Sequence, residues 1–336
     1  MDNFLYNQTI FFKNKPKIVG NYAVVGQKEN AGNFSGFFDF VVEDDYFGEE
    51  TFEKAERKLI EKAYLGAMKK AKLKKHNIDI FLAGDLLNQI TSSSYAARAF
   101  DVPYAGVFGA CSTMAESLAI GATFVDGGYF SNVACATSSH FATAERQFRF
   151  PLELGNQRPP TSQWTTTASG CSILSLKGNG PHISSATFGK VTDYGVKDVN
   201  NMGAVMAPSA MNTLLSVFHD TKTGPEDYDL ILSGDLGKLG SEILIDLMEQ
   251  RGVKLGKNYC DCGQMMFRIN QESLMGGSGC GCSASILNSV ILNQMKKKTF
   301  NKVLFMATGA LLSTTASQQG ETLPAVSHAV VIQNEK

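Results

Sequence analysis

Cys111 is the side chain in this sequence with the clearest capacity for covalent chemistry. It lies in the run Phe108-Gly109-Ala110-Cys111-Ser112-Thr113, where small residues separate an apolar segment from a helical pattern. The pattern predicts a thiol in the first turn of a helix, where unpaired N–H groups and the helix dipole favour negative charge. Such a position lowers the pKa of a thiol and suits it to nucleophilic attack or to holding an anion. The alternative is a buried structural cysteine, as most free cysteines are.

The composition narrows the class of protein. Among 336 residues, 31 Lys and Arg nearly balance 32 Asp and Glu, and no strongly basic segment indicates nucleic-acid binding. Seven cysteines, an odd number in a long chain, indicate reduced thiols. The N-terminus lacks a signal-peptide pattern, and no stretch approaches the roughly 20 apolar residues of a membrane span. We therefore expect a soluble protein, which partners could hold at a membrane surface.

The chain contains an internal repeat. Segments 78–86 and 228–236 are both short apolar runs closed by Gly-Asp, at an offset of 150 residues. The run around Cys111 matches the run around Cys282 at an offset of 171, and the strand pattern that follows each run matches at 170. Three ordered matches at nearly constant offsets predict a duplicated fold.

Strands alternate with amphipathic helices in each half. Residues 51–72 carry an apolar face with helical period, and residues from about 202 to 220 are the counterpart. The alternation predicts an α/β fold with mainly parallel, buried sheets, divided into halves 1–180 and 181–336. The polar stretch from about 146 to 167 predicts a loop inserted into the first half, and long loops of this kind are commonly functional.

Duplicated α/β halves with a cysteine at a helix start in the first half resemble the thiolase and ketoacyl-synthase superfamily. Several segments are also similar to the stage V sporulation protein AD family of spore-forming bacteria. Those segments are LAGDLLNQ at 82–89, FGACST at 108–113, ATSSH at 136–140, ATAERQFR at 142–149, GGSGC at 276–280 and ATGALLS at 307–313. The similarity extends from about residue 8 to residue 332, which is nearly the whole chain.

The resemblance implies a layered α-β-α-β-α fold and a homodimer that pairs first-half strands across a twofold axis. It also implies binding of dipicolinate (pyridine-2,6-dicarboxylate), free or as its calcium chelate, and a role in moving it into the developing spore. The implied partners are other stage V sporulation A proteins in the membrane. The implied location is the forespore or spore, at the periphery of the inner spore membrane. No cofactor and no metal site are implied.

The catalytic set of the condensing enzymes is incomplete in this sequence. Those enzymes need a histidine, or histidine with asparagine, to activate the thiol and move protons. The superfamily has a Gly-His-x-x-Gly run in the second half, and Ser278 stands at the histidine position here. Some members carry another histidine in the loop that here reads 233–238, which has none. We therefore expect a binding protein in which Cys111 is a vestigial nucleophile.

Two alternatives to a binding protein stay open. One is a working Cys-dependent acyl transferase that uses a recruited base such as His140, which follows a strand expected beside the Cys111 helix. The other is a structural scaffold of the membrane complex with an empty pocket. His140 itself could reach the pocket, because ligand sites of α/β folds lie at strand C-termini, or it could order the following loop.

The expected ligand site lies between the two repeated helix starts. Cys111, Ser112 and Thr113 offer N–H groups and hydroxyls at the first start, and Ser278 and Cys280 belong to the second. Gly309 resembles the glycine turn that completes the superfamily's oxyanion site.

The predicted loop offers further candidate contacts. Arg146 is the preferred clamp on a ligand carboxylate, with Arg149 and Arg158 beside it, although each could instead be a solvated surface residue. Trp164 could stack on an aromatic ligand or anchor the loop. The pairs Cys260/Cys262 and Cys280/Cys282 are spaced too closely to be typical of structural zinc.

Overall fold

The computed structural model describes residues 7–148 and 157–335. The strands in these ranges are β1 (Thr9–Phe11), β2 (Lys17–Val25), β3 (Phe40–Val41), β4 (Ile80–Gly84), β5 (Tyr104–Gly106), β6 (Asn132–Ser139), β7 (Trp164–Thr165), β8 (Ala168–Ser175), β9 (His182–Phe188), β10 (Leu230–Ser233), β11 (Tyr259–Asp261), β12 (Gly277–Ser278), β13 (Lys302–Ala310) and β14 (Ala325–Gln333).

The helices are α1 (Gln27–Asn30), α2 (Phe52–Ala71), α3 (Thr91–Phe100), α4 (Thr113–Asp126), α5 (Phe141–Phe148), α6 (Met202–Thr221), α7 (Gly237–Gln250), α8 (Cys262–Met266), α9 (Cys280–Ile286), α10 (Leu292–Lys296) and α11 (Thr314–Gln318). A π-helical segment, Leu287–Ile291, joins α9 to α10. Short 3-10 turns lie at Lys75–Asn77, Asn88–Ile90, Ala110–Ser112 and Pro225–Asp227.

The two halves have the same strand order, as the internal repeat predicts. The first half is ordered β2-β8-β6-β4-β5 and the second β9-β14-β13-β10-β11, with β2 and β9 adjoining at the pair Lys17–His182. In each half, two pairings are parallel and two antiparallel, so the sheets are mixed. The predicted boundary at 180/181 falls in the connection between β8 and β9.

The elements form the predicted α-β-α-β-α layers. Helices α4 and α9 share one apolar core with strands of both sheets, so they form the middle layer. Helices α2 and α3 cover the outer face of the first sheet. Helices α6 and α7 cover the outer face of the second. A helix in the middle layer has apolar neighbours on both sides, which explains why most of α4 is buried and why its residues are mostly small or apolar.

The two long outer helices match their predicted bounds within about a residue. Thr51 precedes α2 and its hydroxyl accepts a hydrogen bond from the Lys54 amide, which satisfies one of the free N–H groups of the first turn. Asn201 caps α6 in the same way through the Ala204 amide. Both helices end at a lysine in the left-handed conformation, Lys72 and Lys222.

Three local predictions need correction. Helix α4 begins at Thr113, so Cys111 lies in the 3-10 turn that leads into it. Helix α5 extends to Phe148, so the predicted loop does not begin at Arg146; Arg149 lies outside the described residues. Gly309 is inside β13, which continues to Ala310.

All seven cysteines are free. Among the described helices, none combines the length and the apolar character that a membrane crossing requires.

The middle layer should dominate the stability of the fold. Leu118 on α4 is completely buried, whereas Leu65 on α2 has 54% of its surface exposed. We expect Leu118→Ala to lower the free energy of unfolding by about 2–5 kcal/mol, because it leaves a cavity between the sheets. The matched Leu65→Ala change should cost less than about 0.5 kcal/mol. Urea unfolding measures both, and equal losses would contradict the layer assignment.

Candidate functional site

The turn that carries Cys111 is held by its own side chains and has one unusual backbone residue. The Thr113 hydroxyl accepts from the Gly109 amide at 3.1 Å and donates to the Ala110 carbonyl at 2.6 Å. Ala110 has φ of 50°, a left-handed conformation that costs a non-glycine residue about 1 kcal/mol. The hydrogen bonds of the Thr113 hydroxyl offset this cost. Cys111 therefore lies in the turn before α4 and not in the helix itself.

Strand β13 of the second half lies directly against this turn. A Cβ atom added at Gly309 would lie 1.9 Å from the Gly109 carbonyl oxygen and 3.0 Å from the Cys111 amide nitrogen. Only glycine permits this approach. The backbone of β13 at Gly309 therefore packs directly against the backbone of the Cys111 turn.

A pocket of about 80 Å³ opens at the Cys111 thiol. The Cys111 sulfur lies 3.9 Å from the hydroxyl oxygen of Ser278, which enters from the second half. Most of the wall is apolar and comes from both halves, and it includes Phe108, Phe148 and Met202. None of the described residues that line this pocket is a histidine.

An outer cavity of about 320 Å³ adjoins this pocket. The two share the lining residues Glu145, Phe148, Val199 and Leu312. Arg158 lines the outer cavity, forms an ion pair with Glu145 and donates to the Gln163 carbonyl at 3.0 Å. Its guanidinium also lies over the rings of Phe141 and Trp164, at 4.8 and 4.7 Å from their centres. A positive charge is therefore held in a fixed place beside the pocket mouth.

Asp235 lies in the loop after β10 and was not among the site residues that sequence reasoning selected. It is completely buried, and neither carboxyl oxygen has a regular hydrogen bond within the described part of the chain. Burial raises the pKa of Asp235 well above its usual range. Burial also raises the pKa of the Cys111 thiol, and the Asp235 carboxyl raises it further. The site therefore favours the neutral thiol of Cys111, and not the thiolate that was expected at a helix start.

Gln163 is a second residue that the sequence did not reveal. Its amide nitrogen donates to the carbonyl oxygens of Asp235 (2.7 Å) and Gly277 (3.0 Å), while its side-chain oxygen is buried and has no partner in the described ranges. Gln163 is also one of the residues that line the pocket. Gln163 immediately precedes β7, whose pairing with β12 places Thr165 opposite Ser278.

Six predicted site residues do not line the pocket, and one of them, Gly309, lies in β13 against the Cys111 turn. The Ser112 hydroxyl donates to the Gly109 carbonyl, and Thr113 is occupied within the turn. Cys280 is completely buried and its thiol faces the Ser138 carbonyl at 2.9 Å. Of the two remaining residues, His140 is buried and Arg146 is on the surface.

His140 lies between β6 and α5, where it contacts the Asp45 segment instead of the Cys111 thiol. Its Nε2 atom lies 2.8 Å from the Asp45 carbonyl oxygen, and its Nδ1 atom accepts from the Ala142 amide at 3.1 Å. The ring packs against Phe52. Burial lowers the pKa of His140, which favours the neutral ring.

Arg146 is turned away from the pocket and forms an ion pair with Glu53 at the surface. Arg146, the residue that the sequence favoured as a contact to a ligand carboxylate, therefore does not line this pocket. Helix α5 continues through Arg146 and directs its side chain to Glu53. Trp164 is likewise occupied: it stacks on Phe141 with ring centres 3.9 Å apart, and the Lys28 ammonium lies 3.4 Å above it. Of the two readings of Trp164, the loop anchor is the one present.

Within residues 7–148 and 157–335, no group of three or more His, Cys, Asp or Glu side chains is arranged to hold a metal ion.

Comparison with known proteins decides the family. The family model described as "Stage V sporulation protein AD (SpoVAD)" matches residues 6–333. A protein of Bacillus subtilis (strain 168) named "Stage V sporulation protein AD" is 42% identical over 326 residues, which cover 97% of this chain and 96% of that protein. The chain belongs to the stage V sporulation protein AD family. The resemblance drawn from the sequence is confirmed.

Solved structures of the thiolase and ketoacyl-synthase type share the fold. The 3-oxoacyl-[acyl-carrier-protein] synthase III of Aquifex aeolicus has a TM-score of 0.59 at 13% identity, over 95% of this chain and 100% of that one. Human mitochondrial 3-ketoacyl-CoA thiolase in complex with CoA has a TM-score of 0.62 at 10% identity, over 97% and 100%. At these identities the likeness shows the fold alone, and the thiolase-like architecture is confirmed.

Glu116 is a second buried carboxyl close to the Cys111 turn. One of its oxygens is buried without a partner in the described residues, and burial raises the pKa of Glu116 to about 7. An acid whose folded pKa is raised stabilises the folded state below its unfolded value, and this contribution is lost as the pH rises through the folded value. Glu116 should therefore destabilise the fold progressively from about pH 4.5 to above pH 7.

We expect Glu116→Gln to remove this pH dependence. The gain in unfolding free energy over the wild type should grow with pH, to as much as about 3 kcal/mol above pH 7, because the amide has no charge to bury. Urea unfolding across this range measures the difference. The control Glu242→Gln, at an exposed position, should run parallel to the wild type. A parallel curve for Glu116→Gln would contradict the expectation.

Proposed function

We propose that this protein binds dipicolinate, free or as its calcium chelate, without catalysing a reaction, and supports its uptake into the developing spore. Membership of a sporulation protein family supports a role during sporulation. The observation that carries the proposal is the pairing of Cys111 with Ser278 in a pocket without histidine. Among the described lining residues there is no histidine of the kind that activates the thiol of a condensing enzyme, which supports binding without catalysis.

The chemistry of the wall suits a flat aromatic acid. Phe108 and Phe148 offer ring faces, and Ser278 and Cys111 offer polar hydrogens at the deep end. Arg158 provides positive charge near the opening, where a second carboxylate would lie. A dicarboxylate on a six-membered ring could thus meet polar groups at both ends and apolar surface between them.

Arg158 and Arg146 form a matched pair for a test by titration calorimetry. Arg158→Gln should weaken dipicolinate binding by about tenfold or more, because a charge-assisted contact to the ligand is lost. Arg146→Gln should leave the affinity unchanged, since Arg146 pairs with Glu53 away from the pocket. Isophthalate, which lacks the ring nitrogen, is the ligand control and should bind more weakly.

Two outcomes would overturn the proposal. The wild type could give no heat with dipicolinate or its calcium chelate at about millimolar concentration, which would favour a ligand-free scaffold. Alternatively, incubation with acyl-CoA could give an acyl adduct that is lost in Cys111→Ala. The enzymes among the structural neighbours make this acyl transferase the alternative to exclude.

A homodimer and membrane partners belong to the same proposal. Strand β5 is at the edge of the first sheet and pairs only with β4 in the described chain, so its outer edge is available to a second copy. Tyr95, on the adjacent helix α3, is 51% exposed. Other stage V sporulation A proteins would hold the dimer at the inner spore membrane of the forespore.

The dimer is tested by its mass. Sedimentation equilibrium should give twice the chain mass for the wild type, and Tyr95→Glu should raise the fraction of monomer, because a charge would be placed beside the pairing edge. Leu65→Ala, on the exposed side of α2, serves as the control and should remain dimeric. A wild type that is monomeric at micromolar concentration would contradict this part of the proposal.

A further inference from the structure

The end of the molecule opposite the pocket is built from a single line of strand ends. Six strand ends form this line across both sheets, and neighbouring members are paired: Asn132, Ser175, Lys17, His182, Gln333 and Lys302. Strands β6 and β13 run from this line towards the pocket, because α5 and residues 310–312, which follow them, supply part of its lining. At about 3.3 Å per residue, the nine residues of β13 place the line about 26 Å from the pocket.

Lysines are concentrated in the segments that meet this line. We call their surface the basal face, and its segments are 11–17, 69–79, 126–132, 175–182, 296–302 and 333–335. Together these segments contain 13 lysines, three acids and no arginine. The whole chain has a net charge of −1, so the rest of the molecule is net negative and its charge is strongly polarised. The acidic segment 222–229 bounds the basal face on the side of the second half.

The acids of the basal face leave most of this positive charge uncompensated. Glu335 forms an ion pair with Lys17 at 3.0 Å, while the other two acids accept hydrogen bonds from backbone amides. Lys13, Lys15 and Lys177 are exposed, and within residues 7–148 and 157–335 none of the three forms an ion pair. These ammonium groups are therefore available to an anionic partner.

Exposed apolar side chains stand among these lysines. Tyr129, in the turn before β6, has 75% of its surface exposed, and Leu176, in the turn after β8, has 40% exposed. The turn of Tyr129 is held against segment 11–17, because the Asn14 amide donates to the Asp126 carboxylate at 2.6 Å and the Asn14 side chain donates to the Asp126 carbonyl at 2.8 Å. An exposed tyrosine beside unpaired lysines is typical of a surface that lies in a lipid headgroup layer.

We propose that the basal face binds the surface of an anionic phospholipid bilayer directly, with its lysines among the headgroup phosphates and Tyr129 and Leu176 at the boundary with the acyl chains. This inference goes beyond the proposed function, in which partner proteins hold the chain at a membrane, and it does not depend on what the pocket binds. In this orientation the pocket faces away from the lipid and opens to the aqueous side.

The chemistry of the basal face favours lipid over other anionic partners. Arginine is the residue that matches the fixed geometry of a carboxylate or a nucleic-acid phosphate with two hydrogen bonds, and the basal face has no arginine. The phosphates of a headgroup layer are mobile, so they can surround the compact ammonium groups of lysines without a fixed geometry. Tyr129 and Leu176 can enter a lipid surface, whereas a nucleic acid or an acidic peptide offers them no apolar layer.

Flotation of the full chain with phospholipid vesicles tests this inference. At low salt the wild type should bind vesicles of phosphatidylcholine that contain about 30% phosphatidylglycerol, and at least about tenfold less should bind vesicles of phosphatidylcholine alone. Raising the salt to about 0.5 M should release most of the protein, because screening shortens the range of the charges.

Two double variants with the same loss of charge separate the basal face from the rest of the surface. Lys15→Gln with Lys177→Gln should lower the partition coefficient by about 20-fold, the loss expected for two lysines at an anionic surface. Lys197→Gln with Lys238→Gln, at exposed positions near the pocket end, should bind as the wild type does. Tyr129→Ser should weaken binding several-fold with no change in charge, because the tyrosine would no longer enter the headgroup layer.

Three results would overturn the inference. The wild type could remain unbound with the anionic vesicles at low salt. The two double variants could lose binding equally, so that net charge and not the basal face would explain it. Duplex DNA or polyglutamate could bind in preference to the vesicles, which would assign the basal face to another class of partner. Absence of dipicolinate binding by the wild type would contradict the proposed function and leave the vesicle result standing.

Discussion

The backbone of β13 touches the backbone of the Cys111 turn, and this contact fixes the geometry of the site. Gly309 has no side chain, so the second half approaches the first within van der Waals distance of Gly109. The middle helices α4 and α9 lie between the two sheets and hold the halves at this separation. As a result, β12 brings Ser278 to within 3.9 Å of the Cys111 sulfur. A site of this kind exists only because the two halves pack face to face.

The electrostatic character of the pocket changes from its floor to its mouth. At the floor, buried acids surround the thiol, and every one of them carries a pKa raised first by burial. At the mouth, Arg158 is fixed by Glu145 and two aromatic rings. A bound acid would therefore be neutralised at the mouth and would meet hydrogen-bond donors at the floor. Under the proposed function, this arrangement would hold an anion by one end without activating it for reaction.

The sequence predicted the parts of this structure that depend on local pattern. The duplication, the two long capped helices and the strands that end in Gly-Asp follow from periodicity and turn chemistry. The positions of the predicted site residues that do not line the pocket depend on contacts with residues distant in the sequence. His140 is directed by the Asp45 carbonyl and Arg146 by Glu53, and neither partner is visible in the local pattern. Ala110 gave no signal of its left-handed conformation, because that position is usually filled by glycine.

Asp235 shows why a repeated motif does not predict a repeated role. Asp85 and Asp235 stand in the same Gly-Asp pattern, at equivalent strand ends, and both are buried. Their difference arises from a third residue, since Asp261 occupies the amides at the start of α7 that Asp235 would otherwise satisfy. The duplicated fold contains two copies of this loop. In the second copy, Asp261 on the neighbouring strand binds the backbone amides at the helix start, which is the structural role that Asp85 has in the first copy.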